Sequence, residues 1–236
     1  MRIWDIDPGF LNDRSLLGEH RELHGIVSII RKKKTGYARH PETLRWKPHL
    51  RSLVVRHELL VEEMKLRGFK HRSPIRANIT AIRWPSQFLD QPAAQYTILQ
   101  QKYRIRPPGR IPLPGSVQEL WARHKYSVMA RSPRIYQETG ARVARGEIGF
   151  AEAALHVVGL LRTVPPAGRL ANAVIHMWGH VSDHAGFSPK GLEIGSLLRE
   201  IQRLTMIHNI TYLWCSTALS ELAFWCRGLT VETAPV

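Results

Sequence analysis

Apolar residues in this chain recur at the three-to-four-residue spacing of a helix face from one end to the other. Capping residues, prolines and glycines punctuate them, and no strict polar/apolar alternation persists for long. This pattern predicts an all-α fold. Asn12, Asp13 and Ser15 offer N-caps for a helix through SLLGEHRELHGIVSIIRKKK, with Gly36 closing it in the left-handed conformation. A second helix, about HLRSLVVRHELLVEEMKLR, ends at Gly68. Between residues 73 and 115, Pro74, Pro85, Pro92, Pro107, Pro108, Pro112 and Pro114 leave room for one short helix, PAAQYTILQQKY. That proline-rich stretch is the expected join between two helical units, residues 1–115 and 116–236. In the second, Ser116 and Glu119 have capping-box spacing, and Ser132-Pro133 and Ser188-Pro189 read as N-cap and first-turn pairs. Pro165, Pro166 and Gly168 separate a helix containing GFAEAALHVVGLLR from one containing ANAVIHMWGHVSDH, so four to five helices are expected there.

With 236 residues, 44% of them hydrophobic, the chain can bury a true core, and its two cysteines rule out a disulfide scaffold. The formal charge of +15 is concentrated at the front: residues 1–115 hold 22 Lys and Arg against 10 Asp and Glu, leaving only +3 for the rest. Clustered cations gain by releasing the counterions condensed on a polyanion, so nucleic acid is the expected partner ahead of an anionic membrane surface. MRIWDIDPGF has no apolar signal core, which points to the cytoplasm. ITYLWCSTALSELAFWC is apolar, but Glu221 interrupts it. It reads as a buried helix carrying Cys215 and Cys226 on one face, not as a membrane span.

On a wheel of about 100° per residue, Leu16, Leu23, Val27 and Ile30 share one face, with Glu19 inside that stripe and Glu22 at its edge. A carboxylate beside an apolar seam loses solvation and can exchange protons near neutrality, so both glutamates are candidates for chemistry. The competing role is a salt bridge to one of the many arginines. The basic run Arg31, Lys32, Lys33, Lys34 exceeds what a helix C-terminus needs, and Tyr37 and Trp46 lie near it in sequence. The segment therefore suits phosphate contacts with some stacking. His176, His180 and His184 are spaced i, i+4, i+8, with His124, His156 and His208 elsewhere. Hydrogen-bonded core histidines are the expected reading, with no metal or other cofactor. Gly-rich phosphate loops, CxxC pairs, HExxH and GxSxG are missing, which argues against nucleotide hydrolysis, zinc proteolysis and nucleophile-elbow hydrolysis.

Taken together, MRIW at the start, SLLGEHREL, the basic run, GYARHP and ELLVEEMKLRGF resemble the pyrimidine-dimer DNA glycosylase family. QYTILQQKYRIRPPGRIPLPG is similar to the tail of its bacterial members, so the likeness covers about residues 1 to 115. The resemblance implies an all-helical, cofactor-free glycosylase and AP lyase acting on cyclobutane pyrimidine dimers in double-stranded DNA. Its nucleophile is the terminal α-amine, which falls on Met1. A free α-amine titrates at about 7.7–8.0, far closer to neutrality than a lysine at about 10.4. The family's catalytic glutamate falls on Glu22, and its substrate-holding arginines on Arg21 and Arg2. Lys32 matches a lysine near the phosphates, with His20, Arg31 and Lys33 completing the expected DNA-binding set. His20 stands where the family has a tyrosine, and Gly25 where it has an arginine.

In the back half, LWARHKYSVMARSPRIYQETGARVA and NAVIHMWGH are similar to the YbgA-like helical domain, whose function is unknown. This implies a fused module for nucleic-acid binding, self-association or recruitment of a protein partner. The alternatives are a non-catalytic nucleic-acid-binding adaptor, or an imine-forming glycosylase for another modified base.

Overall fold

A computed structural model describes residues 1–76 and 81–227. It is all-helical, with no strand among the described residues. The chain divides into a front unit, Met1–Gly109, and a back unit, Arg110–Val236, so the division falls inside the proline-rich stretch.

In the front unit an extended N-terminal segment leads through a 3-10 turn at Pro8–Phe10 into α1 (Asp13–Arg31). Asn12 caps that helix, its side-chain oxygen accepting from the Ser15 amide at 2.9 Å. The short α2 (Pro41–Trp46) and the long α3 (Leu50–Leu66) follow, and α1 packs against both. Leu16, Leu23, Ile26 and Val27 of α1 are buried, as are Leu53, Leu60 and Met64 of α3, and Glu19 lies within the α1 seam as its spacing predicts. After α3 ends, Gly68 takes φ +82° and the Phe69 amide donates back to Met64 O, closing the helix where the sequence places its end.

Helix α1 stops sooner than expected. It ends at Arg31, and Lys33, not Gly36, adopts the left-handed φ of 50°, with the Lys34 amide donating to Ile29 O at 3.1 Å. The basic run therefore lies mostly past the helix, as its cap. The helix α4 (Pro92–Lys102) lies within the proline-rich region, and beyond it the chain returns to the start of α1. There the Asn12 amide donates to Tyr103 Oη at 2.8 Å. At Gly109 a Cβ would lie 2.5 Å from the Phe10 carbonyl, so only glycine fits without a shift.

In the back unit α5 (Val117–Met129) packs against α6 (Pro133–Ala144), α7 (Phe150–Leu161), α8 (Ala167–Trp178) and α11 (Ala218–Trp225). Ser116 caps α5 through the Glu119 amide, but Glu119 reaches the Gly115 amide, one residue outside the reciprocal bond its spacing predicts. Ser132 caps α6 as expected. Ser188-Pro189 does not open a helix: it lies in a turn, and α9 begins only at Ile194 (Ile194–Ile207). The apolar stretch near the C-terminus is broken into α10 (Thr211–Trp214) and α11, so Cys215 and Cys226 are buried free thiols on separate elements. The back unit thus holds more helices than the four to five expected. Glu221, which argued against a membrane span, is the buried partner of Arg131 at 2.7 Å. No helix among the described residues is long and apolar enough to cross a membrane. The last residues, 228–236, of the expected second unit lie outside the described residues.

Candidate active site

The N-terminal segment has no strand to pair with, yet each backbone amide from Arg2 to Asp5 finds a side-chain oxygen. The Arg2 amide donates to Glu22 Oε2, and the Ile3 amide to Glu42 Oε1 at 3.0 Å. The Trp4 amide donates to Glu19 Oε1 at 3.2 Å, and the Asp5 amide to Gln95 Oε1 at 2.8 Å. Three helices, α1, α2 and α4, thus supply the acceptors that a neighbouring strand would supply in a sheet. Ile3 and Trp4 are buried beneath them. The outcome is a fixed chain start: the Met1 amine nitrogen is three covalent bonds from the Arg2 nitrogen that Glu22 holds.

The two candidate carboxylates of α1 have separate partners. Glu19 is buried and receives Arg56 through two bonds, Nε to Oε1 at 2.7 Å and Nη2 to Oε2 at 2.9 Å. Arg56 also donates to Ile6 O at 2.8 Å, so the pair ties α3 to the N-terminal segment. Burial pushes the Glu19 carboxyl above its ordinary range, with Arg56 opposing. Glu19 is thus the salt-bridged glutamate, and Glu22, half-buried, is the one at the chain start. Glu42 is buried as well: burial raises its carboxyl, while it accepts from Ile3 and from Trp46 Nε1 at 3.1 Å.

Around this core stand cations. Arg2 pairs with Asp90 at 2.6 Å and lies 4.9 Å over the Trp4 ring. Arg21 is exposed. Burial lowers the Lys102 ammonium, Arg106 adds to that, and Glu22 opposes it. The structure therefore brings Met1, Arg2 and Glu22 together. Arg31, Lys32 and Lys33 are exposed at the far end of α1, where Arg31 Nη2 donates to Arg76 O at 2.8 Å.

His20, expected to face DNA, lies among histidines. His20, His24, His57 and His71 each present a ring nitrogen, all within 4.8 Å of one another. The sequence reading missed this group, although His20 and His24 carry the same i, i+4 signal that drew attention to His176, His180 and His184. Those three do not share a helix, because α8 ends at Trp178. His180 Nε2 sits 2.6 Å from Tyr126 Oη, and His184 stacks on His208. Glu42 and Gln95 were also missed, since nothing in local sequence marks a side chain that will accept from a distant backbone amide.

No curated protein and no solved structure matches this chain. Residues 1–77, the stretch that carries Met1, Glu22, the basic run and all four clustered histidines, match the family of the pyrimidine dimer DNA glycosylase.

Proposed function

We propose that the front unit is a DNA-repair glycosylase with AP-lyase activity on cyclobutane pyrimidine dimers, with the Met1 α-amine as its nucleophile. One observation carries this reading: the Arg2 amide is bonded to Glu22, which keeps a carboxylate beside the start of the chain. The likeness of residues 1–77 to pyrimidine dimer DNA glycosylases supports the substrate class, and the front unit's charge supports duplex DNA as the partner.

In the proposed reaction the neutral amine attacks C1′ of the sugar bearing the dimer's 5′ base. A nitrogen–carbon bond forms, the glycosidic bond breaks, and its electron pair leaves on the base, which is then protonated. Opening of the sugar ring gives an imine. Loss of a proton from C2′ then expels the 3′ oxygen with its phosphate, which cuts the strand, and water releases the amine. Glu22 stabilises the cationic sugar and moves the C2′ proton. Arg21 and Arg2 hold the damaged strand, and Arg31, Lys32 and Lys33 contact phosphates outside the lesion. The back unit is a YbgA-like module for partner recruitment or self-association. A dimer weakens stacking, so extruding a nucleotide costs less there than in intact duplex.

The test uses duplexes carrying a pyrimidine dimer, an abasic site or no damage, each incubated with borohydride to read capture and without it to read cleavage. Covalent capture and strand cleavage are expected with the first two and not with the third. Glu22→Gln should slow cleavage of dimer DNA by about 10²–10⁴-fold and affect capture at an existing abasic site less. A residue added before Met1 should abolish capture. Unchanged cleavage in both variants would refute the proposal.

A further inference from the structure

The four clustered histidines come from three separate parts of the front unit. His20 and His24 lie one turn apart on α1, His57 lies on α3, and His71 lies in the irregular segment after it. Their rings converge: His20 is 4.6 Å from His24, 5.0 Å from His57 and 5.1 Å from His71, centroid to centroid. His57 is 5.0 Å from His24 and 5.1 Å from His71. His57 is fully buried, and His24 Nε2 is buried with no hydrogen-bond partner. Leaving such an atom unsatisfied costs free energy, and four imidazoles gathered around one point have no packing advantage over apolar residues.

Three features match a metal centre. First, His20 Nε2 and His57 Nε2 are 3.2 Å apart. Nitrogens bound to zinc at about 2.0–2.1 Å in a tetrahedron stand about 3.3–3.4 Å from each other. Second, His57 Nδ1 is 2.9 Å from Glu58 Oε1. A carboxylate on the far nitrogen fixes the tautomer and turns the other nitrogen toward a metal. Third, the four histidines can each turn one ring nitrogen to a common point, since those atoms all lie within 4.8 Å of one another.

We propose that His20, His24, His57 and His71 form a closed, four-coordinate site for a divalent transition metal of the zinc type, with Glu58 as the outer carboxylate. Imidazole donors suit zinc among the divalent ions, and hard oxygen-seeking magnesium and calcium are excluded by the donor set. With all four positions filled by protein, the role is structural. The ion joins α1, α3 and the segment leading to Arg76, whose carbonyl receives Arg31. It therefore fixes the stretch beside the exposed basic run. His20 and Glu22 are two residues apart, about 200° around the helix, so the site stands apart from the Met1 chemistry and does not depend on it.

The full chain, purified without a histidine tag and stripped by chelator, is titrated with Co²⁺ and Zn²⁺. The expected result is the intense visible absorption of tetrahedral Co²⁺ at one ion per chain, displaced by Zn²⁺, with a higher melting temperature on Zn²⁺ addition. His24→Ala and His71→Ala should each weaken binding at least 100-fold, and Glu58→Gln by about 10–100-fold. His184→Ala combined with His208→Ala, which removes the stacked pair of the back unit, should leave the spectrum intact. Absence of a tetrahedral spectrum in the wild-type chain overturns the proposal whether or not the variants fold. So does a spectrum that survives in the His24→Ala, His71→Ala double variant or is lost in the back-unit variant.

Discussion

In the back unit the buried guanidinium of Arg131 is spent on its own fold. It meets Glu221 at 2.7 Å and donates to Ser127 O, Leu161 O and Thr163 O, stitching together the ends of helices. Trp225 Nε1 completes the shell around Glu221. The front unit has an equivalent pair in Arg56 and Glu19, but Glu19 also accepts from the Trp4 amide and Arg56 donates to the Ile6 carbonyl of the N-terminal segment. The histidines differ in the same direction. Buried His124 of the back unit meets Leu120 O at 2.8 Å within its own helix, whereas His24 of the front unit has an orphaned nitrogen facing three other rings. Around Arg131 and His124, buried polarity in the back unit closes on itself. In the front unit buried polar groups also meet at the chain start and in the histidine cluster, and convergence of that kind is how a fold prepares a site.

This contrast can be broken by mutation. Glu19→Ala leaves Arg56 buried without its counter-charge and should cost about 3–5 kcal/mol in chemical unfolding. It also frees the Trp4 amide, so borohydride capture should fall in the molecules that remain folded. Arg131→Met should cost a similar amount by stranding Glu221, yet capture per folded molecule should be unchanged. Equal losses of capture in both variants would erase the distinction between the units.

Acid titration sharpens the comparison next. Burial holds His124 down to about 4, against an ordinary 6.5, with the Leu120 carbonyl opposing. Between those values the unfolded chain binds a proton that the folded chain refuses. The stabilisation is therefore complete above pH 6.5 and declines as the pH falls toward 4, by up to about 3 kcal/mol. Stability measured across that range should fall less steeply in His124→Leu, and an unchanged slope would contradict the assignment.

Smaller effects follow at the edges of the site. Glu42→Gln weakens one of the bonds that hold the N-terminal segment and should cost about 1–2 kcal/mol, seen as a lower melting temperature. Lys32→Ala and Lys33→Ala should leave stability within about 0.5 kcal/mol. Each should reduce the salt dependence of DNA binding by a slope of about 1, read from affinities over a salt series. A slope that does not move would place the phosphates elsewhere.

Much of this was legible in the sequence because it depends on local rules. The all-α class, the Asn12 and Ser132 caps, the end of α3 at Gly68 and the position of Glu19 within an apolar seam all follow from neighbours a few residues away. The failures share a cause. Gly36 looked like the natural end of α1, but the cap geometry was met three residues earlier by Lys33, at a cost in backbone strain that the sequence does not display. The broken C-terminal helix and the separation of His176 from His180 likewise reflect packing across the back unit. Local periodicity could nominate Glu19 and Glu22 but not assign their partners, because Arg56 and the Arg2 amide come from distant stretches. The histidine cluster was half visible, as an i, i+4 pair on α1, and needed α3 and the segment after it to supply the rest.

The most direct test of the central claim is to digest the borohydride-trapped complex with dimer-containing DNA and locate the adduct by mass spectrometry. Reductive attachment to the α-amine of Met1 is the expected result. Attachment to a lysine, with Lys102 the nearest rival because burial already weakens its hold on a proton, would contradict it.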